Sequence, residues 1–146
     1  MNLHLYPYGK GTELPGISIG VARQAPRGIR IEDRWRRGYF QVWLPQLAPS
    51  KALYQAYRAK EISYPQFARR YRGEMKSPEP KHVIALLAAT CQTTRVNLGC
   101  FCQEDAYCHR SQLAELVREA YRKLPPPPLE TSKAFSPPCS MPEIED

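Results

Sequence analysis

The chain has 146 residues, 42% of them hydrophobic, with 21 Lys and Arg against 14 Asp and Glu, for a formal charge of +7. That length supports one domain whose core buries roughly two-thirds of the surface exposed by the unfolded chain, without disulfide staples. No run of about 18 apolar residues occurs, which excludes a transmembrane helix. The start, Met1 to Gly16, lacks a basic stretch followed by an apolar one. A secretory signal is therefore not expected, and a cytoplasmic setting is.

Taken in chain order, residues 1–16 carry Pro7, Gly9, Gly11, Pro15 and Gly16 and read as an irregular N-terminal segment. Ile17–Ala22 alternates apolar and small residues and predicts a short strand. Pro26–Gly28 is a turn, and Ile29–Ile31 predicts a second short strand leading into Glu32–Gly38. Trp43–Leu47 is apolar but interrupted by Pro45, so a loop or a single helical turn is expected. Ser50 is placed to N-cap a helix over Lys51–Lys60, with Leu53, Ala56 and Tyr57 on one face. Ser63 repeats the arrangement for Tyr64 to about Lys76, with Pro65 in the first turn, where its missing N–H costs nothing. Phe67, Tyr71 and Glu74 share a face of that helix.

Pro78 and Pro80 predict a break, followed by an apolar helix over Lys81–Cys91. Arg95–Cys102 is the best strand candidate, ending in a loop over Gln103–Tyr107. A last helix runs from about His109 to Lys123, with Leu113, Leu116, Val117 and Ala120 at helical spacing and Arg122 and Lys123 at its basic end. Beyond it, residues 125–146 hold seven of the fifteen prolines, including four in a row, and read as a disordered tail. The expected architecture is one α/β domain over residues 17–124: a small, mostly parallel sheet flanked by helices.

Charge is unevenly distributed. The tail from Pro125 holds one lysine and four acids, net −3, which leaves twenty bases and ten acids, net +10, on residues 1–124. Such a body attracts phosphates, nucleotides, nucleic acid or acidic proteins, with strength falling as salt rises. Five cysteines, an odd count, suit a reducing compartment and free thiols. Three of them, Cys100, Cys102 and Cys108, fall within nine residues.

These three lie where a strand ends and a helix begins, the place where open α/β sheets bind ligands and where helix N–H groups favour an anion. Arg110 and Ser111 sit in the first helical turn and can add donors, while Cys108, at the helix start, has the stabilised thiolate of a nucleophile. The competing reading is a small buried Cys100 and a helix-capping Cys108. Zinc is a further alternative, since Cys100, Cys102, Cys108 and His109 are all good ligands. Against it, adjacent Cys108 and His109 seldom converge on one tetrahedral ion, and Cys-x-Cys is tighter than the usual spacing. Cys102 to Arg110 is Cys-x7-Arg, not the Cys-x5-Arg of a phosphatase loop. Neither a nucleotide-binding phosphate loop nor a dinucleotide fingerprint occurs, so no motif calls for a cofactor.

A second basic feature interleaves Arg27, Arg30, Arg34, Arg36 and Arg37 with Trp35, Tyr39 and Phe40. Arginine forks match phosphate oxygens and aromatic faces stack bases, so this stretch suits a nucleotide or a single strand as well as a plain solvated edge. Asp33, an acid within the basic run, serves either as an ordinary ion-pair partner or as a general base. His4 and His82 have no sequence partners and are expected at the surface.

Cys100-x7-Cys108-His-Arg-Ser closely resembles the Cys…Cys-His-Arg signature of the bacterial family called domain of unknown function 488. Asp33-Arg-Trp-Arg-Arg-Gly38 is similar to the Asp-Arg-x-Pro-Arg-Gly segment of its YeaO-like branch. Leu47-Ala-Pro-Ser50 and Phe67-x3-Tyr71-x2-Glu74 follow in the same order, so the resemblance spans about residues 17–122. Arg36 stands where that branch usually has Pro, and Cys102 where an acid is often found. The resemblance implies a compact α/β domain with its shared residues near the carboxyl edge of the sheet; it implies no particular reaction.

Together these features point to a domain that binds a phosphorylated or nucleotide-like anion, and leave catalysis on it open. Cys108, His109 and Asp33 would be its catalytic groups, and Arg34, Arg37, Cys100, Arg110 and Ser111 its ligand-binding ones. The alternatives are a nucleic-acid-binding or accessory protein using the basic surface, and a domain holding a structural zinc at the cysteines. No membrane partner is expected.

Overall fold

In a computed structural model that describes residues 1–104 and 106–127, the sheet has four strands in the order β1-β4-β2-β3, with every pairing parallel. The strands are β1 (Leu3–Pro7), β2 (Ile17–Gly20), β3 (Val42–Trp43) and β4 (Val96–Cys100). The helices are α1 (Lys51–Arg58), α2 (Tyr64–Glu74), α3 (Pro78–Thr90) and α4 (His109–Lys123). This is the expected α/β class with a parallel sheet. The tail prediction for 125–146 lies mostly outside the described residues.

The two faces of the sheet are chemically distinct because side chains alternate along each strand. Leu3, Ile19, Val96 and Leu98 enter one apolar core with Phe67 and Tyr71 of α2, Ile84 and Leu87 of α3, and Leu113 and Val117 of α4. On the other face, Asn97 donates to the Pro15 carbonyl at 2.9 Å and Ser18 to the Gly11 carbonyl at 3.2 Å, so loops rather than helices cover it. Gly99 lies under the Tyr6 ring and Gly20 under Phe40; a Cβ at either would fall within 2.5 Å of a ring carbon. All five residues of β4 are buried, as befits the central strand of a sheet covered on both faces.

Helix starts follow local chemistry. The Ser50 hydroxyl accepts the Leu53 N–H, and Ser63 and Gln66 form a reciprocal capping box. The Glu74 carboxylate accepts the Ser50 N–H at 2.8 Å, tying the end of α2 to the start of α1, while Tyr71, fully buried, donates to the Leu47 carbonyl.

Four expectations are corrected. Leu3–Pro7 is a strand rather than irregular, since Leu3 and Leu5 alternate with His4 and Tyr6 and pair in register with β4. Pro7 is tolerated because β1 is an edge strand, where one side needs no N–H donor. Ile29–Ile31 is no strand: Ile31 opens a 3-10 turn, Ile31–Asp33, and is 74% exposed. Val42–Trp43 instead supplies the strand beside β2, with the expected helical turn following at Pro45–Leu47. Pro78 and Pro80 open α3 rather than break the chain, because both fall in a first turn that needs no N–H donors. No described helix is long and apolar enough to cross a membrane.

Candidate functional site at the carboxyl ends of β2 and β4

β4 ends at Cys100, the chain loops through Cys102, and Cys108 caps α4 in an extended conformation. The loop thereby returns on itself. The Sγ atoms of Cys100, Cys102 and Cys108 all lie within 4.8 Å of one another, with 4.0 Å between Cys100 and Cys102. Cys100 and Cys108 are buried and Cys102 is exposed. Such a group of thiols can hold a metal ion. Hydrogen bonding from the Cys100 and Cys102 thiols lowers the pKa of Cys108, while hydrogen bonding to Cys102 and Cys108, with burial, raises that of Cys100. Cys91 stands apart at the C-cap of α3, where burial raises its thiol.

The His109 ring is fixed at both nitrogens. Nε2 is 2.8 Å from the Val21 carbonyl oxygen, an acceptor, so Nε2 carries a proton. Nδ1 faces the Cys108 Sγ at 3.7 Å, and the ring meets Tyr71 edge-on. Tyr8 packs against Ala22, Cys100 and Cys108, and its N–H donates to the Cys100 carbonyl.

Arg110 has 0% exposure. One fork nitrogen donates to the Tyr6 carbonyl and the other to the Cys102 carbonyl, so the guanidinium clamps the end of β1 to the cysteine loop. The Ser111 hydroxyl is bonded to the Cys108 carbonyl and to Tyr64 Oη. These two side chains, expected as ligand donors, thus serve the framework beneath the cysteines.

The arginine-rich segment is anchored through the Gly38 carbonyl, which accepts the N–H groups of Gly9 and Gly11. Within it Asp33 pairs with Arg36 at 3.7 Å, a half-exposed pair of the ordinary kind. Arg34 lies over the Phe40 and Trp43 rings, with its Cζ 5.7 and 5.8 Å from their centroids. Trp43 in turn donates to the Ala22 carbonyl. Neither Asp33, Arg34 nor Arg37 is among the residues lining the cleft beside the cysteines. The structure therefore brings Cys100, Cys108, His109 and Arg110 together, and leaves Asp33 and Arg37 outside that group. His4 and His82 are exposed, as expected.

That cleft, about 510 Å³, opens between the carboxyl ends of β2 and β4 and helix α1. Cys100, Cys102 and His109 form part of its lining, together with Arg23, Lys51 and Arg58, and no carboxylate contributes among the described residues. Exposed Tyr54 and Phe101 add two aromatic faces. Lys51, Tyr54, Gln55 and Arg58 recur at i, i+3, i+4 and i+7, so one stripe of α1 faces the cleft while Leu53 turns to the core. The spacing of this stripe is written in the sequence, but nothing there separates it from any solvated helix face; Arg23 and Tyr8 carry no signal at all.

Residues 4–121 match the family model described as the active DUF488-N3 subclade. The chain belongs to the DUF488 family. The match takes in β1 as well as the cysteine loop, so it begins earlier than the motif resemblance did. No curated protein and no solved structure matches this DUF488 chain.

Proposed function

We propose that this DUF488 domain binds a small phosphorylated or nucleotide-like anion in the cleft over Cys100, Cys102 and His109. One observation carries the reading: three cations, Arg23, Lys51 and Arg58, converge with two exposed aromatic rings on a cleft whose described lining holds no carboxylate. The cations attract phosphate oxygens, and Tyr54 and Phe101 offer π-faces to a base. The position agrees with the general rule that open α/β sheets bind ligands outside the carboxyl ends of their strands. Arg23 is already oriented, since its Nε donates to the Pro49 carbonyl at 2.7 Å. The matched model's description as an active subclade supports chemistry on the bound ligand, which would fall to the cysteine and histidine floor.

Calorimetric titration with adenosine monophosphate tests this. Reversing Lys51 and Arg58 together to Glu should weaken binding at least tenfold, equivalent to about 1.4 kcal/mol, and flatten its salt dependence. Reversing Arg27 and Arg37 should leave affinity within about twofold. The opposite pattern, especially with a single-stranded oligonucleotide as the better ligand, would move function to the arginine edge and support a nucleic-acid-binding protein.

A further inference from the structure

We infer that Cys100, Cys102 and Cys108 form a three-thiolate zinc site whose fourth coordination position opens into the cleft. Zinc–sulfur bonds of about 2.3 Å in a tetrahedral array set the ligand sulfurs roughly 3.8 Å apart. The observed separations, 4.0 Å for Cys100 and Cys102 and at most 4.8 Å among the three, need only a small contraction. Two of the ligands are rigidly mounted, Cys100 at the end of the central strand and Cys108 at the cap of α4. The third, Cys102, is on a loop that can adjust. A disulfide would join only two of these sulfurs and leave the third beside it; one ion uses all three.

The close spacing that argued against zinc no longer does so once the fourth ligand need not be His109. Its Nε2 is engaged with the Val21 carbonyl, and its Nδ1 sits at hydrogen-bonding range from the Cys108 sulfur. The ring is thereby held beside the Cys108 sulfur rather than in the fourth coordination position. Cys100, Cys102 and His109 line the cleft and Cys102 is exposed, so the remaining position faces the cleft rather than the core. Three protein ligands with an open position is the arrangement of a reactive zinc rather than a structural one. Three thiolates and one Zn²⁺ carry a net −1, and Arg110, bonded to the Cys102 carbonyl, supplies an opposing charge beneath it. The thiolate set itself selects soft and borderline metals over magnesium or calcium.

The zinc site stands on the sulfur geometry; only its role toward a bound anion rests on the cleft reading above. The test uses the reduced full-length chain, with cobalt(II) as a spectroscopic substitute for zinc. One cobalt per chain should bind, with a thiolate-to-metal charge-transfer band and the intense visible bands of a tetrahedral ion. C100S, C102S and C108S should each weaken binding at least tenfold, whereas C91A and C139S stay within about twofold. H109Q should retain cobalt, and azide should shift the visible bands by occupying the open position. Should a cysteine variant fail to fold, the wild-type chain still answers: zinc should raise its Tm above that of chelator-treated protein. Absence of a charge-transfer band together with no zinc-dependent Tm shift would overturn the site. So would cobalt binding that survives C108S, a Cys100–Cys102 disulfide in its place, loss of cobalt in H109Q, or indifference to azide. A normal cobalt spectrum with K51E/R58E still binding adenosine monophosphate would sink the anion reading alone.

Discussion

Replacing Arg110 with methionine is expected to remove about 3–5 kcal/mol of stability, enough to unfold many domains of this size at physiological temperature. The side chain is fully buried, and its fork nitrogens satisfy the Tyr6 and Cys102 carbonyls. Methionine fills part of the volume but leaves those two acceptors without their charged donor. Lysine should rescue little, because a point charge on a flexible stem cannot reproduce the planar fork. Urea unfolding should show a lower midpoint with an unchanged slope if only stability changes. A loss under about 1 kcal/mol would mean that the two carbonyls find other partners and that Arg110 is not the clamp beneath the cysteine loop.

The second large effect is expected at Gly38. Its φ is +82°, and a Cβ there would lie 2.4 Å from the Gly9 carbonyl oxygen and 2.5 Å from its carbon. Both neighbours are backbone, so no side chain can swing aside. Gly38→Ala should cost about 2–4 kcal/mol, combining the left-handed conformation with displacement of the loop it anchors. Gly28 is the internal comparison: its φ is +72° but a Cβ would meet nothing within 4 Å. Gly28→Ala should cost only the conformational part, about 1–2 kcal/mol. Equal costs at the two positions would show that the contact of Gly38 with Gly9 does not hold the arginine segment in place.

Elements fixed by local chemistry were legible in the sequence, and those fixed by distant partners were not. Ser50 and Ser63 mark helix starts because a hydroxyl acts on N–H groups only three residues away. The start of α4 at His109 is also as expected, although Cys108 caps it without a side-chain hydrogen bond. β1 is different: its five residues end on Pro7, just before Gly9, and its pairing partner lies at the other end of the domain, from Val96. Ile29–Ile31 has the composition of a strand but pairs with none, and Val42–Trp43 takes the place beside β2 instead.

The site divides along the same line. Cys100, Cys102, Cys108 and His109 stood out by spacing, and the structure gathers the three sulfurs. Arg110 was recognisable as important, yet an arginine in a first helical turn reads as an anion donor until the Tyr6 and Cys102 carbonyls are seen around it. Asp33 and Arg37 share a motif with Arg34, but folding turns their segment onto Gly9 and Gly11 rather than into the cysteine cleft. The cations that do enter the cleft come from α1 and Arg23, where nothing but three-dimensional placement distinguishes them from solvated charge.

The most direct measurement is amide chemical-shift mapping of the ¹⁵N-labelled chain as adenosine monophosphate is titrated in. The largest perturbations should fall on Ala22–Gln24, Lys51–Arg58, Phe101–Cys102 and His109, the segments that surround the cleft. Perturbations centred on Arg27–Arg37, with the cysteine loop and α1 silent, would contradict it.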